Sequence, residues 1–160
     1  MLRIRDAAIE DAETISRIVC LCYEGFGRTD DYPDDVIREL KRRRGSVKCM
    51  GELIRDENVF VAEDNGQIRG MVSVRQNEIT KLYVDPYFQG QGTGKMLFNR
   101  AESFIKSREY RKMFLGAAAK TPVSFYESMG MRITRKRTID HGPCIGMTSI
   151  VLEKIFSDSL

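Results

Sequence analysis

The sequence predicts a mixed α/β (α+β) fold with helices flanking a central, twisted and mostly antiparallel sheet. Three observations support this class: a hairpin signal at residues 59–76, a strand–helix–strand crossover at 78–119, and a second pair of strand-like segments near the end. Hairpins join antiparallel strands, whereas a crossover joins parallel ones. At 160 residues, the chain is expected to form a single domain over residues 1–160.

The first third of the chain predicts one strand followed by three helices. Residues 2–5 alternate as in a short strand, and residues 10–26 carry apolar side chains at helical spacing. Pro33 begins a second helix, whose C-terminal end is rich in Lys and Arg and so suits the helix dipole. Apolar residues at positions 47, 50 and 54 predict a third, short helix.

The middle of the chain predicts a β-hairpin followed by a third strand. VFVAED at 59–64 and QIRGMVSVRQ at 67–76 flank the pair Asn65-Gly66. Asn-Gly supplies the two positive φ values that a tight hairpin turn needs. Residues 78–84 then form the next strand.

The second half of the chain predicts a crossover and a closing hairpin. Apolar residues from Leu97 to Ile105 line one face of a helix, and MFLGAAA at 113–119 is typical of a strand buried on both faces. This strand should run parallel to residues 78–84. The remaining predicted elements are a short helix from Pro122 to Met129, a stop at Gly130, and a hairpin of residues 131–138 and 145–153.

The composition is that of a globular protein in water. Apolar residues make up 42% of the chain and charged residues 31%, with a net charge of +3. No stretch approaches the roughly 18 uninterrupted apolar residues of a membrane span, and the start of the chain does not resemble a signal peptide. We therefore expect a cytoplasmic protein with no membrane partner, and the small net charge argues against nucleic acid as a partner. Four cysteines without a C-x-x-C pair are expected to be reduced thiols: Cys20, Cys22, Cys49 and Cys144.

The segment GQGTGKML at residues 90–97 resembles a phosphate-binding loop but fits neither common nucleotide motif. A Walker A loop anchored on Gly94-Lys95 would need glycine at Gln89 and a hydroxyl at Met96. The dinucleotide fingerprint would need glycine at Lys95. What survives is a small-residue loop before a helix, whose first N–H groups and positive dipole end favour an anion. The expected ligand is a phosphate carrier of another kind.

Three blocks of sequence carry a resemblance to a known family: EITKLYVDP at 78–86, QGQGTG at 89–94 and SFYESMGM at 124–131. The middle block matches the loop motif [QR]-x-x-G-x-[GA] in full. In this order, the blocks resemble the GNAT superfamily of acetyl-CoA-dependent N-acetyltransferases. The resemblance implies an enzyme that moves an acetyl group from acetyl-CoA to an amine by direct transfer in a ternary complex. It also implies a GNAT-like sheet in which two strands splay apart to admit CoA.

The resemblance further implies where the cofactor binds. Backbone amides of the glycine loop would hold the CoA pyrophosphate, and the pantetheine arm would pair with the preceding strand like an added strand. No metal is expected. The cofactor-binding residues implied in this way are Leu82, Tyr83, Val84, Gln89, Gly90, Gln91, Gly92, Thr93, Gly94, Lys95 and Tyr126.

The same resemblance implies catalytic roles for Tyr126 and Glu78. Tyr126 occupies the family's usual general-acid position, and a phenol of pKa about 10 stays protonated at neutral pH and can donate to a thiolate. The alternative is a core tyrosine. Glu78 resembles the family's base, with a solvated strand-end glutamate as the equal alternative, so the base stays open among Glu78, His141 and water. A backbone N–H near Val84 resembles the family's oxyanion donor.

Several features keep other interpretations open. Family members often carry asparagine and alanine where this chain has Ala119 and Pro122, so the asparagine's contact with the cofactor stays open. The rival classes are an acyl-CoA-binding or sensing module without turnover and a nucleic-acid-binding protein that uses the basic clusters around Arg42 and Arg135. The acceptor could be a protein amine, a polyamine or a small molecule, and a homodimer is one option for assembly. The expected surface features are His141, the basic clusters Lys41–Arg44 and Arg135–Arg137, and a group of carboxylates that suits a helix dipole or attracts a cationic amine: Asp30, Asp31, Asp34 and Asp35.

Overall fold

The computed structural model describes residues 1–118 and 123–157, which fold around one seven-stranded sheet. Its strands are β1 Arg3–Asp6, β2 Asn58–Asp64, β3 Gln67–Arg75, β4 Glu78–Val84, β5 Lys112–Ala118, β6 Arg132–Thr138 and β7 Thr148–Ile155. Their order across the sheet is β1-β2-β3-β4-β5-β7-β6. Every neighbouring pair is antiparallel except β4 and β5, which are parallel, so the predicted class of sheet is confirmed.

In the part of the chain that the structure describes, five α-helices cover the two faces of the sheet: α1 Ala12–Thr29, α2 Asp34–Arg44, α3 Val47–Asp56, α4 Thr93–Ser107 and α5 Val123–Ser128. One apolar core joins α1, α2 and α3 to one face, around Ile15, Ile18 and Met71. A second core joins α4 and α5 to the opposite face, around Phe98 and Leu152. No helix within the described ranges is long and apolar enough to cross a membrane.

The β2–β3 hairpin forms as the Asn-Gly signal predicts. Asn65 and Gly66 have φ angles of 52° and 77°, the left-handed pair that a two-residue hairpin turn requires. The strands on either side pair from Asp64 and Gln67 down to Asn58 and Val74, with one β-bulge where Arg69 is an extra residue between the Ala62–Gly70 and Glu63–Ile68 pairs. This local prediction is confirmed because the turn chemistry is contained in two adjacent residues.

The parallel pair β4–β5 is joined at one end only. Among the described residues, Glu78 and Phe114 are its one paired position, and the Phe114 N–H donates to the Asn77 carbonyl over 3.1 Å. Beyond this point the two strands separate, which leaves the C-terminal half of β4 without a neighbour on that side. A β-bulge adds to the bend, because Thr80 is an extra residue between two pairs that β4 makes with β3.

One prediction about β5 is wrong. Met113 and Leu115 are buried, but Gly116 is exposed, so only one face of this strand is covered. Helices α4 and α5 pack on that face, whereas the other lies open where β4 and β5 diverge. The predicted helix start at Pro122 and the departure at Ala119 lie outside the described residues. The predicted stop is confirmed, since Gly130 has a φ of 91° after α5.

Candidate active site

The glycine loop between β4 and α4 bends through two left-handed residues. Gly90 and Gly92 have φ angles of 77° and 86°, a conformation that only glycine adopts without cost. A methyl group added to either glycine would meet no other atom within 4 Å. Gly92 directly precedes the first residue of α4. The loop therefore presents bare backbone to open space at the start of a helix.

The first turn of α4 offers unpaired donors to this space. The Met96 N–H is the first to close a helical hydrogen bond, to the Gly92 carbonyl over 3.1 Å, so the amides of Thr93, Gly94 and Lys95 precede the helical ladder. The Thr93 hydroxyl is buried and has no hydrogen-bond partner among the residues that the structure describes. These donors and the positive end of the helix dipole suit an anion such as phosphate.

A cavity of about 800 Å³ lies against the loop and the free end of β4. Ten of the eleven residues implied as cofactor-binding line it; the exception is Gln91, whose side-chain oxygen lies 3.5 Å from Arg69 instead. Helix α1 contributes a wall that sequence reasoning missed, because its apolar residues match an ordinary core helix. Gly25 was the available signal, since glycine inside a helix weakens it unless something must approach closely. The α1 residues at this cavity include Leu21, Cys22, Gly25, Phe26 and Arg28.

The backbone of Val84 faces the gap between β4 and β5. The Asp85 N–H donates to the Arg69 carbonyl in the β3 segment over 2.8 Å. Because successive N–H groups along a strand point to opposite sides, the Val84 N–H points away from β3. The Val84 carbonyl accepts hydrogen bonds from the Gln89 side chain at 3.2 Å and from the Cys22 thiol at 3.3 Å. The gap is thus lined by the edge of β4, whose Val84 N–H can donate a hydrogen bond to a bound ligand.

Tyr126 lines the cavity and is largely buried. It is 8% exposed and packs against Phe125 and Phe98, with ring centroids 5.2 and 6.5 Å away. Burial raises the pKa of its hydroxyl to about 12, so this group is neutral across the physiological range. Within the described residues, its hydroxyl makes no hydrogen bond, so the local partner expected of a purely structural tyrosine is not found there.

A second cavity, of about 300 Å³, adjoins the first. The two share four lining residues, Phe26, Leu82, Tyr83 and Tyr126. Glu78 lines the second cavity, and its carboxylate accepts a 3.1 Å hydrogen bond from Arg75. The larger cavity therefore meets the smaller one at Tyr126, with Glu78 on the far side.

The other candidate groups lie around these two cavities. His141 is at the edge of the smaller one, largely exposed, with its Nδ1 2.6 Å from the Asp140 carboxylate. Cys144 is buried in the same wall, where burial raises the pKa of its thiol. Of the four carboxylates in the α1–α2 region, only Asp30 lines a cavity, and it is the larger one. Asp30 therefore lies at the same cavity as the glycine loop, and attraction of a cationic amine by this acidic group stays a prediction.

The fold is that of an acetyltransferase. The solved structure of the PaiA N-acetyltransferase from Thermoplasma acidophilum in complex with coenzyme A matches 98% of this chain and 99% of that chain, with a TM-score of 0.80 and 21% identity. Residues 28–148 match the model of the acetyltransferase (GNAT) domain. The chain belongs to the GNAT acetyltransferase family, as the sequence blocks predict.

Two curated relatives extend this finding. An uncharacterized N-acetyltransferase of Methanocaldococcus jannaschii is 30% identical over 141 residues, which cover 79% of this chain and 59% of the relative. The N-acetylaspartate synthetase of Xenopus tropicalis is 29% identical over 105 residues, which cover 61% of this chain and 38% of the relative. The chain thus matches less than two thirds of the length of either relative.

Proposed function

We propose that residues 1–160 form one N-acetyltransferase domain, which transfers the acetyl group of acetyl-CoA directly to an amine in a ternary complex. The observation that carries this proposal is that the two cavities adjoin and share lining residues. A thioester bound in one cavity would therefore lie next to an amine bound in the other. Holding two reactants in contact removes much of the entropic barrier to a bimolecular reaction. A solved neighbour with bound coenzyme A supports the choice of cofactor.

In this proposal the larger cavity holds the cofactor, which supplies an activated acetyl group and a thiolate as leaving group. Amides of the glycine loop and the first turn of α4 bind the pyrophosphate, with the unpaired Thr93 hydroxyl as an additional donor. Lys95 adds a positive charge at the mouth. The backbone of Leu82 and Val84 pairs with the amide groups of the pantetheine arm, as an edge strand pairs with a peptide.

The reacting groups sit at the end of β4. The Val84 N–H stabilises the negative charge that develops on the acetyl oxygen, and one such donor is typically worth about 2.7–4 kcal/mol of barrier. Tyr126 donates a proton to the departing sulfur, since its raised pKa of about 12 keeps it protonated. Glu78 lies at the opposite end of β4 and receives the proton of the amine through water in the smaller cavity.

The acceptor is an amine that enters through the smaller cavity. Its volume of about 300 Å³ is at the lower end for small-molecule sites, which supports a compact acceptor. The name of the Xenopus tropicalis relative, an N-acetylaspartate synthetase, also supports an acceptor of this size.

Two measurements test the proposal. Acetyl-CoA should raise the melting temperature in a dose-dependent way, whereas ATP with magnesium should not, because a ligand stabilises the native state only if it binds there. A panel of amines, read by release of free thiol, should then reveal turnover. Binding of acetyl-CoA without turnover of any amine would replace the enzyme with an acyl-CoA-binding module. Stabilisation by ATP alone would overturn the assignment of the loop.

A further inference from the structure

The smaller cavity carries more positive charge than its one carboxylate offsets. Arg44, Lys81 and Arg137 all line it, and within the described ranges Glu78 is its only acidic lining residue. None of these three cations forms an ion pair with a residue that the structure describes. By contrast, Glu78 is bound by Arg75, which lies outside the cavity. Among the described residues, the excess of positive charge in this cavity is therefore not neutralised by an ion pair.

Lys81 gives the strongest indication that the cavity binds a negatively charged group. It is half-buried, and its ammonium has the Tyr23 hydroxyl at 3.5 Å as its nearest polar contact. Burial lowers the pKa of Lys81 and the positive charge of Arg44 lowers it further, whereas the Glu57 carboxylate, which is hydrogen-bonded to Thr80 and does not line the cavity, offsets this only in part. An ammonium taken partly out of water with no ion pair is unfavourable. A carboxylate bound beside it would offset that cost.

The three cations lie on separate elements of the fold, and the backbone geometry of these elements brings their side chains to one cavity. The bulge at Thr80 pairs Lys81 with Ser73 and so turns its side chain into the cavity. Arg44 ends α2, and its guanidinium lies against the β6–β7 connection, where a methyl group added at Gly142 would be 3.0 Å away. Arg137 extends from β6 over β5, close to Gly116. The cluster thus combines a residue at the end of a helix, a residue of an inner strand and a residue of an edge strand.

The other cations at the end of α2 do not line the smaller cavity. Lys41 and Arg42 pair with Glu24 and Glu39, and Arg43 is exposed. The dipole of α2 favours cations throughout this last turn, so it does not by itself direct Arg44 towards the cavity. A negatively charged occupant would pair with Arg44 there.

We propose that the acceptor is a small amine that also carries at least one carboxylate, as a free amino acid does. This inference rests on the proposed function. Lys81, Arg44 and Arg137 bind the carboxylate through charge-assisted hydrogen bonds, which orient the amino group towards Glu78 and the wall shared with the cofactor cavity. A polyamine or a basic peptide would place like charges together here, which disfavours it as an acceptor.

The test compares amines that carry a carboxylate with amines that carry none. Aspartate, glutamate and glycine are measured by thiol release beside spermidine, benzylamine and aspartate dimethyl ester, which keeps the amine but removes both carboxylates. We expect kcat/KM to be about a hundredfold or more higher for aspartate than for its dimethyl ester, since at least two charge-assisted contacts are lost. Equal or faster turnover of the ester, spermidine or benzylamine would overturn this inference while leaving the acetyltransferase function intact.

Variants of the lining residues test whether the preference for a carboxylate arises in this cavity. Lys81→Met and Arg137→Met should each raise KM for the amino acid about tenfold or more without changing the affinity for CoA. Arg135→Met is the matched control, because Arg135 is exposed on the same strand and lines neither cavity. An equal effect of the control would mean that general surface charge, not this cavity, selects the acceptor.

A binding readout separates this inference from turnover. In the presence of CoA, aspartate or glutamate should raise the melting temperature of the wild type but not of Lys81→Met, while aspartate dimethyl ester should have no effect. If no amine is acetylated but this pattern holds, the proposed transfer fails and the carboxylate site stands. If the carboxylate amines neither bind nor react, the carboxylate site is wrong.

Discussion

The side-chain amide of Gln89 donates a 3.2 Å hydrogen bond to the backbone carbonyl of Val84. This contact joins the first residue of the glycine loop to the last residue of β4. The same carbonyl accepts from the Cys22 thiol on α1, so loop, strand and helix meet at one oxygen. Burial raises the pKa of Cys22 to about 12, which keeps that thiol neutral beside the proposed site of the thioester. The position of the loop relative to the free strand edge therefore depends on Gln89.

Gln89→Ala should weaken binding of CoA about tenfold, because the loop loses the hydrogen bond that orients it and must be ordered by the ligand instead. Titration calorimetry measures the affinity. Gln91→Ala is the matched control, since Gln91 lies two residues away but does not line the cavity. A similar loss in both variants would show that Gln89 has no particular role.

Gly92→Glu should abolish detectable CoA binding while the chain stays folded. The carboxylate would enter the open space beside the helix start and repel the pyrophosphate. The left-handed backbone at this position adds strain of roughly 1–2 kcal/mol, so some loss of stability is expected as well. Calorimetry measures binding, and circular dichroism monitors the fold.

Gly66→Glu separates that strain from the effect on binding. Gly66 also has a positive φ, of 77°, and also has open space around it, but it lies in the β2–β3 turn away from both cavities. It should lose comparable stability and keep wild-type affinity. Loss of CoA binding in Gly66→Glu, or wild-type affinity in Gly92→Glu, would contradict the assignment of the loop.

Tyr126→Phe should lower kcat about a hundredfold or more with little change in CoA affinity, because the variant keeps the buried ring and loses only the proton donor. Stopped-time assays with an amine that the wild type acetylates measure this loss of kcat. Tyr87→Phe, at an exposed tyrosine outside both cavities, should leave kcat unchanged. Wild-type kcat in Tyr126→Phe would mean that solvent protonates the sulfur.

The pH dependence of kcat gives a second check on Tyr126. The protonated hydroxyl is the active form, and burial raises its pKa from 10 to about 12. Activity that depends on this group is therefore fully present at neutral pH and is lost only as the pH rises towards 12. We expect no descending limb from Tyr126 up to about pH 10. A limb near pH 9 to 10 that disappears in Tyr126→Phe would contradict the burial of this hydroxyl.

Arg5→Met should lower the stability of the fold near neutral pH and make that stability less dependent on pH. Arg5 donates to Asp11 at 2.8 Å and to Glu63 at 3.0 Å; its contact lowers the pKa of Asp11, and hydrogen bonds from Arg3 and then from Arg5 lower the pKa of Glu63. A carboxyl group whose folded pKa is lowered stabilises the fold above its unfolded pKa, here 3.8 for Asp11 and 4.5 for Glu63, and this contribution is lost as the pH falls through the folded value.

Urea unfolding at a series of pH values measures this contribution. Between about pH 5 and 3, the free energy of unfolding should fall more steeply in the wild type than in Arg5→Met, which has already lost the Arg5 contacts at pH 7 and keeps the Arg3–Glu63 pair. Lys48→Met, at an exposed residue of α3, serves as the control. Parallel pH profiles for the wild type and Arg5→Met would contradict the role of Arg5.

Features coded by neighbouring residues were predictable from the sequence. The Asn65-Gly66 turn, the bounds of β4 at 78–84 and the glycine loop all depend on local backbone chemistry, and the structure contains each of them. The parallel pairing of β4 and β5 followed from the length of the crossover between them. These elements account for the cavity in which we propose that the cofactor binds.

The half that faces the acceptor was not predictable in the same way. Arg44, Lys81 and Arg137 are separated by 37 and 56 positions, and only the three-dimensional fold brings them to one cavity. In the sequence, two of them belong to basic runs that resemble ordinary solvated faces. The error at β5 has a similar cause, because an apolar segment does not show which of its faces a helix will cover.

The wall shared by the two cavities also has a kinetic consequence. One cavity is entered beside Gly90 and Lys95 and the other beside Arg137 and His141, all of them exposed. For the proposed transfer, neither substrate has to pass the other on its way in, and neither product blocks the exit of the other. The fold therefore imposes no compulsory order of addition. Initial-rate plots for the two substrates should intersect, and each product should be able to form a dead-end complex with the opposite substrate.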